Sequence, residues 1–134
     1  MSSYSDEEKR LRRKVKSGKE FDNLFPKVTC KKTFLPDAKD TYDTLVEMRK
    51  ISFKYQLQGK KIAKVLQQRS LAQTVNRIHD FLYNNFQYKL DKSDQLLRSL
   101  ACSWYWRKKG IDCKSFSIAT STILLNLGIK HYFR

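Results

Sequence analysis

Gly110-Ile111-Asp112-Cys113-Lys114-Ser115-Phe116 places a cysteine at the mouth of an apolar helix, directly behind a glycine turn. Downstream, Phe116-Ser117-Ile118-Ala119-Thr120 through Ile123-Leu124-Leu125 is apolar on several sides, as a central buried helix should be. The pattern predicts a helix over about Cys113–Asn126, with Gly128 as its C-terminal stop. Asp112 reads more simply as the N-cap of this helix than as a catalytic acid, because a carboxylate there accepts from first-turn N–H groups. A thiol nucleophile is commonly put in such a place. The partial positive charge of a helix N-terminus favours thiolate over thiol, as do nearby cations such as Lys108, Lys109 and Lys114. The backbone N–H of Cys113 can also donate to an oxyanion. The plainer reading, a packing cysteine, is adopted for Cys30 and Cys102, which lack that setting.

Upstream, Leu71, Val75, Ile78, Leu82 and Phe86 fall on one stripe flanked by Phe81, and predict an amphipathic helix over Leu71–Phe86. His79 lies off that stripe and reads as a surface residue. Asp91-Lys92-Ser93-Asp94 opens the next element, a short helix carrying Leu96, Leu97, Leu100 and Trp104 and ending at Lys108-Lys109-Gly110. Trp104 and Trp106 could wall a cleft, but read first as core and boundary packing, with an indole N–H finding a backbone carbonyl. Another helix is expected from Lys39-Asp40-Thr41 to about Leu57, interrupted at Gly59 and continued by a basic amphipathic segment, Lys60–Leu66. After Gly128, residues Ile129–Phe133 alternate apolar and polar and predict a strand that contains His131.

The N-terminal part differs in character. Ser5-Asp6-Glu7-Glu8 resembles a helix start, and Lys9–Lys16 then carries six cations in eight positions. Only Leu11 and Val15 offer an apolar contact, so this helix needs a partner or an acidic groove before it ends at Ser17-Gly18. Residues 21–40 hold both prolines, Pro26 and Pro36, and read as an extended linker that Phe21, Leu24, Phe25, Phe34 and Leu35 pin onto something. The organisation expected is therefore a basic arm and linker over 1–38 and a folded lobe over 39–134.

Bulk composition narrows the classes. With 134 residues and 40% hydrophobic content, the chain has room for one domain with a modest core. No run of about 18 apolar residues occurs, so no spanning helix is expected. The N-terminus has no apolar signal core, which suggests an intracellular start. The three cysteines, Cys30, Cys102 and Cys113, have no metal-ligand spacing, and His79 and His131 do not complete one. No metal or cofactor is expected, and reduced thiols are the simplest state. The formal net charge of +15 points to a polyanionic partner, although lysine for solubility alone is the plainer explanation.

From Leu71 to Arg134 the sequence resembles the transglutaminase-like superfamily, whose core is related to papain-type cysteine peptidases. The amphipathic helix ending in Asn85-Phe86-Gln87-Tyr88, the helix around Gln95–Ser99, Gly110-x-Asp112-Cys113 and Leu127-Gly128-Ile129-Lys130-His131-Tyr132 follow the family's order and spacing. The resemblance implies an α+β, mostly helical fold: the N-terminal lobe of a transglutaminase-like, papain-like domain with a truncated sheet. It also implies amide chemistry, in which Cys113 attacks a carboxamide or peptide carbonyl and forms an acyl-enzyme. There are departures. The family's activating histidine, and the aspartate or asparagine after it, come from strands well downstream of the cysteine. His131 would sit in the first strand, where the family does not keep that histidine. The expectation is a cysteine hydrolase or peptidase lobe whose histidine and aspartate lie beyond this chain's end. The nearest relatives are expected among phage and mobile-element proteins.

Two rival functions fit the same sequence. One is a non-catalytic assembly protein of a virion or other complex, in which a protein partner completes the open sheet edge or orders the basic arm. The other is non-specific nucleic-acid binding through Lys9, Arg10, Arg12, Arg13, Lys14 and Lys16, with no base-reading motif beside them. The matching location is the cytoplasm of a bacterial host, or a virion.

Overall fold

The computed structural model describes residues 6–30, 33–34, 41–90 and 96–133. Ser5, Leu35, Pro36, Lys39-Asp40 and Asp91–Asp94, which carried sequence expectations, lie outside these residues. The fold is α+β and mostly helical. Six α-helices are described: α1 (Asp6–Leu11), α2 (Thr41–Lys54), α3 (Lys60–Leu66), α4 (Leu71–Asn85), α5 (Leu100–Trp106) and α6 (Cys113–Asn126). Two 3-10 turns, Lys19–Leu24 and Gln56–Gly59, precede the linker and α3. Strands β1 (Thr33–Phe34) and β2 (Leu96–Leu97) pair antiparallel, Thr33 opposite Leu97 and Phe34 opposite Leu96.

Helix α6 is the centre of the structure, packed against α2, α3, α4 and α5. Its buried residues, Ser115, Ile118, Ala119, Ser121, Thr122 and Ile123, are apolar or small, so neighbours can approach from several directions. Thr122 Oγ1 donates to the Ile118 carbonyl at 2.7 Å, which satisfies a hydroxyl that burial would otherwise strand. Helix α4 starts at a Ser70 cap, whose hydroxyl accepts from the Gln73 N–H. Its expected stripe is buried only from Ile78 onward: Ile78, Phe81, Leu82 and Phe86 enter the core, while Leu71 and Val75 stay exposed.

Trp104 organises the main core. Its ring stacks on Phe25 at 4.4 Å and Phe81 at 5.7 Å, and meets Phe86 edge-on at 5.7 Å. The indole N–H donates to Asp22 Oδ1 at 2.9 Å, so its partner is a carboxylate and not the backbone carbonyl expected. The Arg107 guanidinium lies over the Trp104 ring, 3.8 Å from its centroid, and donates to Ser17 O, Trp104 O and Asp22 Oδ1. Burial pulls this guanidinium below the ordinary arginine range, against the charges of Asp22, Tyr105 and Glu20, which raise it.

Phe25 is part of the core and Phe21 and Leu24 pack against it, the pinning expected of that segment. Other expectations are corrected. The basic helix stops at Leu11. Residues beyond it run irregularly along α4, held by Lys16 N–H to the Asn84 carbonyl at 2.8 Å and by Arg13 Nε to the Tyr83 carbonyl at 3.0 Å. Leu96 and Leu97 form β2 and not the start of a helix; α5 begins only at Leu100, behind a Ser99 cap.

Residues Ile129–Phe133 form no strand. Gly128, at φ 68°, reverses the chain, with its N–H bonded to Leu125 O and the Ile129 N–H to Leu124 O. The segment then runs back beside α6, where no strand among the described residues is available to pair with it. An alternating pattern makes a strand only when a neighbour supplies the ladder. Finally, Cys30 and Cys102 are joined in a disulfide, with Cα atoms 5.4 Å apart, and are not separate reduced thiols. Proximity across 72 residues of sequence created that pairing, and spacing alone does not reveal it.

Candidate functional site

The candidate site is the turn that enters α6. Gly110 holds φ 122°, a conformation open to glycine and strained for other residues. An added Cβ there would lie 2.6 Å from Lys89 Cβ, so the neighbouring segment also requires a bare backbone. That segment, Phe86–Lys89, runs alongside residues 107–111. Gln87 N–H donates to Arg107 O at 2.8 Å, Ile111 N–H to Gln87 O at 2.9 Å, and Lys89 N–H to Ile111 O at 3.0 Å. Tyr88 and Ile111 thereby form a parallel bridge. Ile111 is fully buried, which fixes the last residue before the cap.

Asp112 then caps α6 as expected. Its Oδ1 accepts from the Lys114 N–H at 3.1 Å and the Ser115 N–H at 3.3 Å, while Oδ2 pairs with the Lys114 ammonium. Both carboxylate oxygens are occupied, and Asp112 is buried. Cys113, the first residue of α6, is a free thiol and is exposed. Its neighbours on the helix turn inward; Ser115 is buried and its hydroxyl accepts from the Arg98 N–H at 3.3 Å. A sulfur on the exposed end of an otherwise buried, capped helix is held in place by the whole core behind it.

The two histidines are elsewhere. His131 Nδ1 lies 2.8 Å from the Ile129 carbonyl and Nε2 lies 2.6 Å from Ser121 Oγ. A carbonyl only accepts, so Nδ1 carries a proton, and in the neutral ring Nε2 accepts from the serine hydroxyl. Ser121 is eight residues beyond Cys113, or about 12 Å along the axis at 1.5 Å per residue. His79 is exposed on α4, stacked on Tyr83 at 5.9 Å and 3.6 Å from Asp80. Neither ring meets the Cys113 thiol. Trp106 is half-buried beside the turn, with the Lys109 ammonium 4.2 Å and the Arg98 guanidinium 5.4 Å from its ring.

One group that the sequence reading missed is Gln87. Its buried side chain pairs with the peptide of Arg13 in both directions, accepting from the Arg13 N–H at 3.2 Å and donating to the Arg13 carbonyl at 2.5 Å. Arg13 also donates to Phe86 O at 3.0 Å and lies 4.1 Å over the Tyr83 ring. The basic arm is thus fastened to the same segment that braces the Cys113 turn. A glutamine next to a helix end carries no pattern that announces this. Of the six arm cations, Lys9, Arg10, Lys14 and Lys16 remain exposed, while Arg12 and Arg13 are partly buried.

A family model described as a transglutaminase-like domain matches residues 57–134, more than half of the chain. The protein belongs to the transglutaminase-like domain family. The matched region spans the 3-10 turn before α3 and every element through α6, so Gly110–Cys113 lies well inside it. Searches of curated proteins and of solved structures gave no match. The transglutaminase-like region shares its core with residues outside the match, since Phe25 stacks on Trp104. Among the described residues no cluster of three or more His, Cys, Asp or Glu is placed to hold a metal ion, and no helix is long and apolar enough to cross a membrane.

Proposed function

We propose that Cys113 is the thiol nucleophile of a cysteine hydrolase or acyl-transfer site for amide bonds. The observation that carries this reading is the exposed thiol at the capped start of a buried helix, behind a glycine turn braced by Phe86–Lys89. The thiolate attacks a carboxamide or peptide carbonyl, the amine leaves with a proton, and a thioester remains on Sγ for water or a second amine to resolve. Because His79 and His131 are engaged away from Cys113, the general base comes from another segment or from a partner chain. Asp112 has a cap role and not a proton-transfer role.

The test uses the fact that Cys113 is the free thiol of the disulfide-bonded chain. Its second-order alkylation rate by iodoacetamide near neutral pH, with imidazole supplied as the external base, is compared between the folded and urea-unfolded protein. An activated nucleophile reacts about tenfold faster when folded. Equal or slower reaction in the folded state contradicts the reading.

A second reading rests on the histidines themselves. With His131 bonded to Ser121 and the Ile129 carbonyl, the lobe also suits a non-catalytic assembly protein, tethered by Lys9, Arg10, Lys14 and Lys16 to an acidic protein or nucleic acid. That function would be indifferent to Cys113→Ala and lost on deletion of residues 1–20.

A further inference from the structure

Taken in chain order, Phe25, Cys30 and Thr33–Phe34 meet Tyr105, Cys102 and Leu97–Leu96, so the described parts of this segment form a strap that runs opposite to the stretch they cover. At one end Phe25 is buried against Trp104 and its carbonyl accepts from the Tyr105 hydroxyl at 3.1 Å. At the other end Thr33 and Phe34 pair with Leu97 and Leu96, a ladder only two residues long. Between them, Cys30 is bonded to Cys102. Cys102 is buried in α5, whereas Cys30 is exposed. The strap connects onward to α2, which packs on α6, and α5 leads directly into the Cys113 turn.

We propose that Cys30–Cys102 is a reversible redox latch, closed and opened by a low-molecular-weight thiol–disulfide couple such as glutathione. Two observations favour reversibility over a permanent cross-link. The sulfur of Cys30 is on an exposed residue, where an attacking thiolate reaches it, and exposed disulfides are the labile ones. The same chain also keeps an exposed free thiol at Cys113, which in a permanently oxidising space would itself be driven into intermolecular disulfides. In the opening step a glutathione thiolate attacks Cys30 Sγ, the bond to Cys102 breaks, and Cys102 leaves as a thiolate that takes up a proton. A second glutathione attacks the mixed disulfide, releasing Cys30 and one molecule of glutathione disulfide. Two electrons and two protons pass to the protein. Closing is the reverse, with glutathione disulfide as the oxidant. Once open, the described part of the strap keeps the Phe25 contacts, the Tyr105 hydrogen bond and the two-residue ladder, and short ladders are marginal without other support.

The experiment equilibrates the full chain in glutathione buffers of graded redox poise, quenches in acid, and alkylates every free thiol under denaturing conditions for intact mass. The latch predicts one modified cysteine at oxidising poise, Cys113 as alkyl adduct or glutathione mixed disulfide, and three alkyl adducts at reducing poise, passing through a midpoint reached from both directions. With Cys113→Ser the same transition runs from none to two. A second readout, limited trypsin digestion followed by mass analysis under reduction, predicts cleavage after Lys27, between Phe25 and Cys30, about tenfold faster in the reduced form, as for a segment that opens locally. Cys30→Ser should match the reduced form at every poise. One modified cysteine at all poises would show a permanent cross-link, and three at all poises would show that the bond does not form. Either result overturns the proposal, as does equal trypsin cleavage in the two forms.

Discussion

At the scale of single residues, the site depends on Gly110 and Asp112 in the turn before Cys113. Gly110 has no substitute: Gly110→Ala brings both a strained φ and a clash with Lys89, and should cost about 2 kcal/mol or more, read as a lower urea midpoint. Asp112→Ala removes the cap and leaves the Lys114 ammonium without its carboxylate. The expected loss is about 1 kcal/mol or somewhat more, whereas Asp112→Asn keeps the capping oxygen and recovers most of it. His131→Ala frees the C-terminal segment from Ser121 but should leave the alkylation rate of Cys113 unchanged, because the two groups sit about two turns of helix apart. These residue roles were unevenly legible. Asp112 as a cap follows from its place before an apolar helix, and the position of Cys113 at the helix start follows from the glycine turn before it. Gln87 was not legible, because its partner is a backbone peptide distant in sequence and any polar side chain would look the same on paper.

At the scale of elements, α4 and α6 were readable because periodicity, cap and stop residue agree within one contiguous segment. Elements defined by a remote neighbour were not. The Ile129–Phe133 alternation gave a strand that the structure lacks, while Leu96–Leu97, read as helix, became β2 through pairing with Thr33–Phe34. The disulfide belongs to the same class of long-range facts. Cross-linking positions 72 residues apart removes chain entropy from the unfolded state, about 4 kcal/mol in the loop-closure model. Cys30→Ser, or reduction of the native chain, should therefore lower stability by a few kcal/mol in equilibrium denaturation, an effect that Cys113→Ser does not share.

At the scale of the whole molecule, the α+β, mostly helical fold and the family were visible in the order of helix, turn and cysteine helix between Leu71 and Arg134. The arm was visible as charge and as a helix start, which α1 bears out over Asp6–Leu11, but not in its irregular course beyond Leu11. Its fastening by Arg13 to Tyr83 of α4 and to Gln87 just beyond that helix leaves four cations, Lys9, Arg10, Lys14 and Lys16, presented on a chain of net charge +15. If those four contact phosphates, binding to duplex DNA should weaken with a log–log salt slope of about −4, and Cys113→Ala should not change it. A slope near zero would remove nucleic acid from the arm's partners.

The central claim is that Cys113 forms a thioester with an amide substrate once a base is supplied. The direct measurement offers the protein a glutamine-containing peptide with imidazole as the external base, quenches in acid, and reads the intact mass. The account predicts an adduct equal to the peptide less ammonia, located on Cys113, increasing with imidazole and absent from Cys113→Ala. No adduct at any imidazole concentration, or an equal adduct on the alanine variant, would contradict it.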